Sequence, residues 1–135
     1  MIKPIMKSEF FLRLPSEDAG PDDAATGQDL LDTLHEHEHE CVGLAANMIG
    51  VRKRIICVKD GNRVLLMYNP QILEQVNAYQ TSEGCLSLTG ERPCTRYRRI
   101  KVEYLDENFV HRIKNFSGYT AEIIQHEIDH CNGIV

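Results

Sequence analysis

No apolar run in this 135-residue chain approaches the ~18 residues that a membrane-spanning helix needs. The opening segment, MIKPIMKSEFFLRLPSEDAG, interrupts its apolar stretch with charges and has no signal-peptide core, so a cytoplasmic protein is expected. Paired cysteine spacing is missing too. Cys41, Cys57, Cys85, Cys94 and Cys131 make an odd count, which reads as buried thiols and a metal ligand rather than a disulfide framework. Positive charge is in deficit: 15 Lys and Arg against 20 Asp and Glu leave a net charge of -5. With no basic face to neutralise phosphates, no direct nucleic-acid binding is expected, and no membrane partner either. The local run of Arg92, Arg96, Arg98, Arg99 and Lys101 reads as the solvated face of a strand. Repeats and domain linkers are absent. The length suits one core, so residues 1–135 are expected to form a single catalytic domain. The content, 42% hydrophobic and 26% charged, is ordinary for a soluble globular protein.

What is present begins near the end of the chain, in the run QHEIDHCNG. His126 and His130 stand at i and i+4, one turn apart on one helix face, where two imidazoles can share one ion. Glu127 lies beside them, placed to take a proton from water. Upstream, Glu83-Gly84-Cys85-Leu86-Ser87 offers Cys85 as a third, thiolate ligand. Three protein ligands leave a fourth position open, which marks a catalytic site rather than a structural one. A divalent metal there lowers the pKa of its water and polarises a carbonyl. Gln125 and Asp129 flank the ligands and are expected to orient their free ring nitrogens. A thiolate with two imidazoles suits zinc, and also iron in a reducing cytosol.

Residues 15–27 are acidic, small and broken by Pro and Gly, so they read as a loop or arm. From Thr26, with Asp29 in capping-box position, Leu30, Leu31 and Leu34 predict a helix that reaches Cys41. Its end, HEHEHE, puts His35 and His39 on one face and His37 on the other, and reads as an exposed polar face able to pick up stray metal. Residues 54–58 and 63–68 flank Asp60-Gly61-Asn62, a hairpin signal. Residues 72–79 form a third candidate strand. Ile100, Val102 and Tyr104 alternate with charged neighbours, Asp106-Glu107-Asn108 turns the chain, and Phe109, His111 and Ile113 alternate on the way back. A last helix from Tyr119 or Thr120 to about Cys131 stops at Asn132-Gly133. The pattern predicts an α+β fold, short antiparallel or mixed strands packed around a central metal-bearing helix.

Gly43-Leu44-Ala45-Ala46-Asn47-Met48, Glu83-Gly84-Cys85-Leu86-Ser87 and Gln125-His126-Glu127-Ile128-Asp129-His130 resemble, in order and spacing, the three motifs of peptide deformylases. The resemblance runs from about Gln28 to the C-terminus. It implies a hydrolase that removes the formyl group from the N-terminal methionine of new polypeptides and releases formate. It implies one divalent ion on Cys85, His126 and His130, ferrous iron in the cell with zinc, nickel or cobalt as substitutes, and Glu127 as general base. The partners it implies are N-formylmethionyl nascent peptides and a transient ribosome contact. By position, Val42, Gly43, Glu83, Gly84, Tyr119 and Ile123, with His126, would take the substrate and its methionine side chain.

Two departures qualify this. In the family a glutamine side chain and the amide N–H after the cysteine bind the developing oxyanion. Leu86 supplies the N–H here, but the glutamine position is Met48, whose thioether cannot donate. Asn47, a backbone N–H or a water would have to fill the gap. Cys41 replaces the motif's first glycine, and Tyr119 is bulkier than the aliphatic residue often found at its position. The second departure is at the ends: the N-terminal segment lacks the usual opening pattern, and the chain stops at Val135 where relatives continue. Two other readings stay open: a deformylase-like protein that binds metal or peptide with little turnover, and a His-Glu-x-x-His metalloprotease. Against the latter, no third ligand follows the helix.

Overall fold

The computed structural model describes residues 1–135. The hairpin signal and alternating runs build one five-stranded antiparallel sheet: β1 (Gly43–Ala45), β2 (Ile55–Asp60), β3 (Arg63–Gly84), β4 (Glu91–Leu105) and β5 (His111–Ser117), lying in chain order. Of the antiparallel and mixed arrangements, the antiparallel one is realised. β2 and β3 close at Asp60 and Arg63, as the Asp-Gly-Asn turn requires.

Residues 63–68 and 72–79, read as separate strands, belong to one long strand. At Asn69 the chain bends without breaking: the residue takes a left-handed φ of 53°, which Asn tolerates, and the register shifts between Tyr68 and Gln71. Its side-chain amide holds Ala19 in both directions, accepting from the Ala19 N–H at 2.7 Å and donating to the Ala19 carbonyl at 2.9 Å. β4 likewise reaches back to Glu91, further than the alternation of Ile100, Val102 and Tyr104 suggested. Phe109 is in the turn, at φ 59°, and stacks on Tyr68 with ring centroids 4.2 Å apart.

Three helices complete the fold. α1 (Glu9–Leu12) is a single turn capped by the Ser8 hydroxyl, which accepts from the Phe11 N–H. α2 (Ala24–Glu36) differs from the expected helix at both ends. A 3-10 turn over Pro21–Asp23 leads into it, and Asp23 accepts from the Gly20 N–H, so Thr26 lies inside the helix and is not its cap. At the far end the helix stops at Glu36, short of Cys41. Glu36, Glu38 and Glu40 would bring carboxylates to a negative helix terminus and to i, i+4 repulsion, with no buried face in return. His37, Glu38, His39 and Glu40 therefore form a turn, and His35 and His39 share no helix face.

α3 (Gly118–Cys131) carries the paired histidines. It lies on the sheet through Ala121, Ile124, Ile128 and Cys131, which are buried together with Ile55, Ile56, Met67, Ile100 and Val102. Its end is a Schellman turn: the Ile134 N–H donates to the Asp129 carbonyl, the Gly133 N–H to the His130 carbonyl, and Gly133 takes the left-handed φ of 75° that the turn demands. Two histidines are thereby fixed on a buried helix, which holds their geometry more tightly than a loop would.

Candidate metal centre and active site

α3 presents His126 and His130 with ring centroids 4.8 Å apart and Nε2 atoms 3.1 Å apart. The end of β3 delivers Cys85 to the same point. The Cys85 Sγ and one nitrogen of each imidazole all lie within 4.8 Å of one another, and no other three His, Cys or acidic residues converge in this way. The HEHEHE run does not: His35 pairs with Glu38 at 3.4 Å and His37 with Glu40 at 2.8 Å.

Electrostatics in this cluster suit a cation. Burial alone would push the Cys85 thiol up, but hydrogen bonds from His126 and His130 and from the Ser87 N–H at 3.3 Å outweigh it and bring the pKa down to about 5. Burial would lower the His126 pKa; the Cys85 sulfur and the Glu83 carboxylate raise it to about 10. Without a metal, a proton has to sit where the thiolate and two ring nitrogens converge, and an ion that takes its place releases it. The donor set therefore fits a borderline-soft divalent ion.

The partner that aims His126 is not one of its helix neighbours. Glu83 Oε1 meets His126 Nδ1 at 2.8 Å, which turns Nε2 toward the cluster. Glu83 is itself clamped by Arg96, Nη2 to Oε1 at 2.7 Å with Nε at 3.1 and 3.2 Å, and Arg96 Nη1 reaches Asp129 at 2.7 Å. So Asp129 braces the arginine and not a ring. Gln125 binds backbone instead, accepting from the Tyr97 N–H and donating to the Tyr97 and Ala121 carbonyls. Arg96, taken from sequence as part of a solvated face, is 7% exposed. Glu83, assigned to the substrate pocket, borders the cavity and also positions His126.

Glu127 is 4% exposed, and its Oε1 has no hydrogen-bond partner. Burial pushes its carboxyl pKa up, in the direction that suits a group exchanging protons near neutrality. Gly43 makes its position possible, because a Cβ there would lie 2.7 Å from Ile123 Cγ2 and 3.0 Å from Glu127 Oε2. Only glycine fits against the carboxylate.

These groups open on a cavity of about 630 Å³. Val42, Gly43 and Met48 form one wall, Gly84, Cys85 and Leu86 another, and Tyr119, Ile123, His126 and Glu127 the helix side. Every residue expected at the substrate site is thus brought to it, and His130 lies on the far side of the cluster. Met48 is buried, with Sδ 3.5 Å from the Ala45 N. Asn47 is not a substitute donor: its amide group is committed to the His130 carbonyl at 2.8 Å and the Leu12 carbonyl at 3.5 Å.

Glu122, and the rim residues Glu38, His39, Glu40 and Cys41, escaped the sequence reading as site residues. Glu122 was legible, standing at i−4 from His126 on the same face. The rim was not, because it depends on where the α2 helix stops.

The profile of the polypeptide deformylase family matches residues 6–135. A peptide deformylase of Clostridium beijerinckii is 51% identical over 135 residues, covering 100% of this chain and 99% of that one. Among solved structures, the peptide deformylase of Thermotoga maritima superposes with a TM-score of 0.90 at 28% identity, covering 100% of this chain and 95% of that one. A class I type b peptide deformylase from Acinetobacter baumannii bound to Met-Ala-Ser gives a TM-score of 0.87 at 30% identity, covering 100% of this chain and 97% of that one. Three motifs that converge on one thiolate–imidazole cluster, in a chain alike from end to end, make this protein a member of the peptide deformylase family.

Proposed function

We propose that the chain, as one domain over residues 1–135, hydrolyses the formamide of N-formylmethionyl polypeptides at this cavity and releases formate. The observation that carries the reading is Glu127 Oε1, buried and without a partner beside three convergent ligand atoms. Cys85, His126 and His130 would hold one divalent ion, ferrous iron in the cell with zinc, nickel or cobalt as substitutes. When bound, that ion supplies Lewis acidity toward the formyl carbonyl and a nucleophile at neutral pH.

The remaining chemistry falls to the chain's own residues. Glu127 takes a proton from the attacking water as its oxygen bonds to the formyl carbon. It returns that proton to the amine nitrogen as the C–N bond breaks. Leu86, in the cavity wall, turns its N–H to the oxygen on which charge develops. Glu83 holds His126 in one orientation through Nδ1. Val42, Tyr119 and Ile123 receive the methionine side chain. Such a substrate belongs to the cytoplasm and to the moment when nascent chains leave the ribosome, so a transient encounter there is part of the proposal.

Formate release from formyl-Met-Ala-Ser, assayed anaerobically after iron or nickel loading, tests the reading. Glu127→Ala should keep one metal per chain and lose turnover. Loss of metal in that variant would put Glu127 among the ligands and overturn its role. A second reading, a metal- and peptide-binding member with little turnover, is favoured by one observation: the side chain at the oxyanion wall is Met48, which donates nothing.

A further inference from the structure

The loop between β3 and β4, residues 85–90, carries the Leu86 N–H, and residues 85–90 make none of the backbone hydrogen bonds that pin the other turns and loops. Leu86 and Leu88 rest half-buried against the core, but apolar contact has no direction and cannot aim an N–H. The Ser87 hydroxyl is buried and partnerless, so it adds no tether. Two side-chain bonds remain. Within the loop, the Ser87 N–H donates to Cys85 Sγ at 3.3 Å. From outside, Lys7 Nζ donates to the Leu86 carbonyl at 2.7 Å.

Lys7 reaches the loop from an arm that is itself fixed. Its neighbour Met6 donates its backbone N–H to the Met48 carbonyl at 2.7 Å. Further along, Glu9 meets Arg92, at the start of β4, at 3.3 Å, and Leu12 is fully buried. Two consecutive residues of one arm thus hold Met48 and Leu86, which stand in the two facing walls of the cavity.

The position of the Leu86 N–H follows from these tethers. On one side of it Cys85 belongs to the thiolate–imidazole cluster; on the other the Leu86 carbonyl is held by a charge-assisted bond, the stronger kind. With only two soft dihedrals per residue, an N–H between two anchored groups has little room to turn. Aim matters here because Met48 donates nothing, and oxyanion stabilisation depends on a donor already in place. Resting on the deformylase reading, we propose that Lys7 is a positioning residue for the reaction: it fixes the Leu86 carbonyl so that the Leu86 N–H points at the developing oxyanion.

The test uses the full chain as wild type, Lys7→Met and Lys7→Arg. The nickel-loaded proteins give kcat and KM on formyl-Met-Ala-Ser. The zinc-loaded proteins give the NMR order parameter of the Leu86 amide, a readout that needs no turnover. Lys7 is exposed, so its replacement opens no cavity, and Tm and one metal per chain should be kept. Lys7→Met should lower kcat roughly tenfold with KM little changed, as expected for a displaced transition-state donor. The Leu86 order parameter should fall from about 0.85 to below about 0.6. Lys7→Arg keeps a cationic donor and should restore both. An order parameter that stays high in Lys7→Met would overturn the proposal, and so would a raised KM at constant kcat, which would put Lys7 on the peptide instead. Equal loss in Lys7→Met and Lys7→Arg, accompanied by lower Tm, would reduce the contact to a support of the fold and overturn it too. Formate release from Lys7→Met at the wild-type kcat would keep the deformylase reading and sink the role of Lys7. No formate from any of the three, with Leu86 loosened only in Lys7→Met, would sink the deformylase reading and leave the tether supported.

Discussion

Met48 is a buried thioether in the cavity wall, drawn toward the Ala45 N–H and unable to donate toward a substrate oxygen. Loss of one oxyanion donor elsewhere lowers turnover by about 10²–10³. With Asn47 committed to backbone carbonyls, no neighbouring side chain of that motif takes over. Met48→Gln should therefore raise kcat by roughly tenfold or more with KM little changed, because the added donor acts on charge present only in the transition state. Steady-state kinetics on formyl-Met-Ala-Ser checks this; a neutral or harmful substitution would mean that the Leu86 N–H, with water, already suffices. Cys85 gives a second expectation at this scale. Its thiol pKa of about 5 in the metal-free chain means that the thiolate is present above that pH and is lost only below it, whereas Cys41 and Cys131 are pushed up to about 12. Iodoacetamide should label Cys85 first in the metal-free protein, with a rate that climbs through about pH 5 instead of through the range near 9 of an ordinary thiol. Nickel loading should suppress that labelling, and mass spectrometry of the labelled peptides reads both.

At the scale of elements, α3 works because β3 and β4 hold its charged face. Arg96 of β4 and Glu83 of β3 form a pair with side chains only 9% and 11% exposed, and Asp129 and His126 of the helix complete it. Removal of one member of a buried pair leaves the other charge uncompensated, so Arg96→Met should lower unfolding free energy by about 3–5 kcal/mol, measured by urea denaturation. It should also weaken metal affinity by roughly 10–100-fold, since Glu83 would no longer hold His126 in a fixed orientation. A variant with wild-type affinity for nickel would show that His126 needs no such brace. None of this chain of contacts was visible in sequence. Periodicity placed His126, Glu127 and His130 on one helix, which is a local fact, whereas Cys85, far upstream in the chain, was joined to them through the motif in which it stands. Arg96 could not be told from its basic neighbours, since its burial depends on which face of β4 meets α3. The helix reading failed in the same way at residues 37–40: apolar spacing carried it on to Cys41, while repulsion among alternating glutamates decided where it stopped.

Across the whole molecule, the sheet, α2 and α3 share one apolar core, in which Leu30, Leu44, Ile56 and Ile124 are fully buried. The cluster of Cys85, His126 and His130 ties the end of β3 to α3 at the edge of that core. The metal-free protein therefore keeps its main source of stability, but it also keeps a thiolate beside an imidazolium, with His130 Nδ1 and Glu127 Oε1 buried and partnerless. An ion that binds only the folded chain, at about a hundred times its dissociation constant, stabilises that chain by roughly 2.7 kcal/mol. For a domain of this size that corresponds to a rise in Tm of about 10 °C. Dialysis against a chelator should lower Tm by that amount and leave the far-UV circular dichroism spectrum in place, and added nickel should restore it. The same cycle on His130→Ala should give almost no shift, because the third ligand is missing. A chelator effect that persists in His130→Ala would place the stabilising ion elsewhere, with the imidazoles of the turn after α2 the next site to examine.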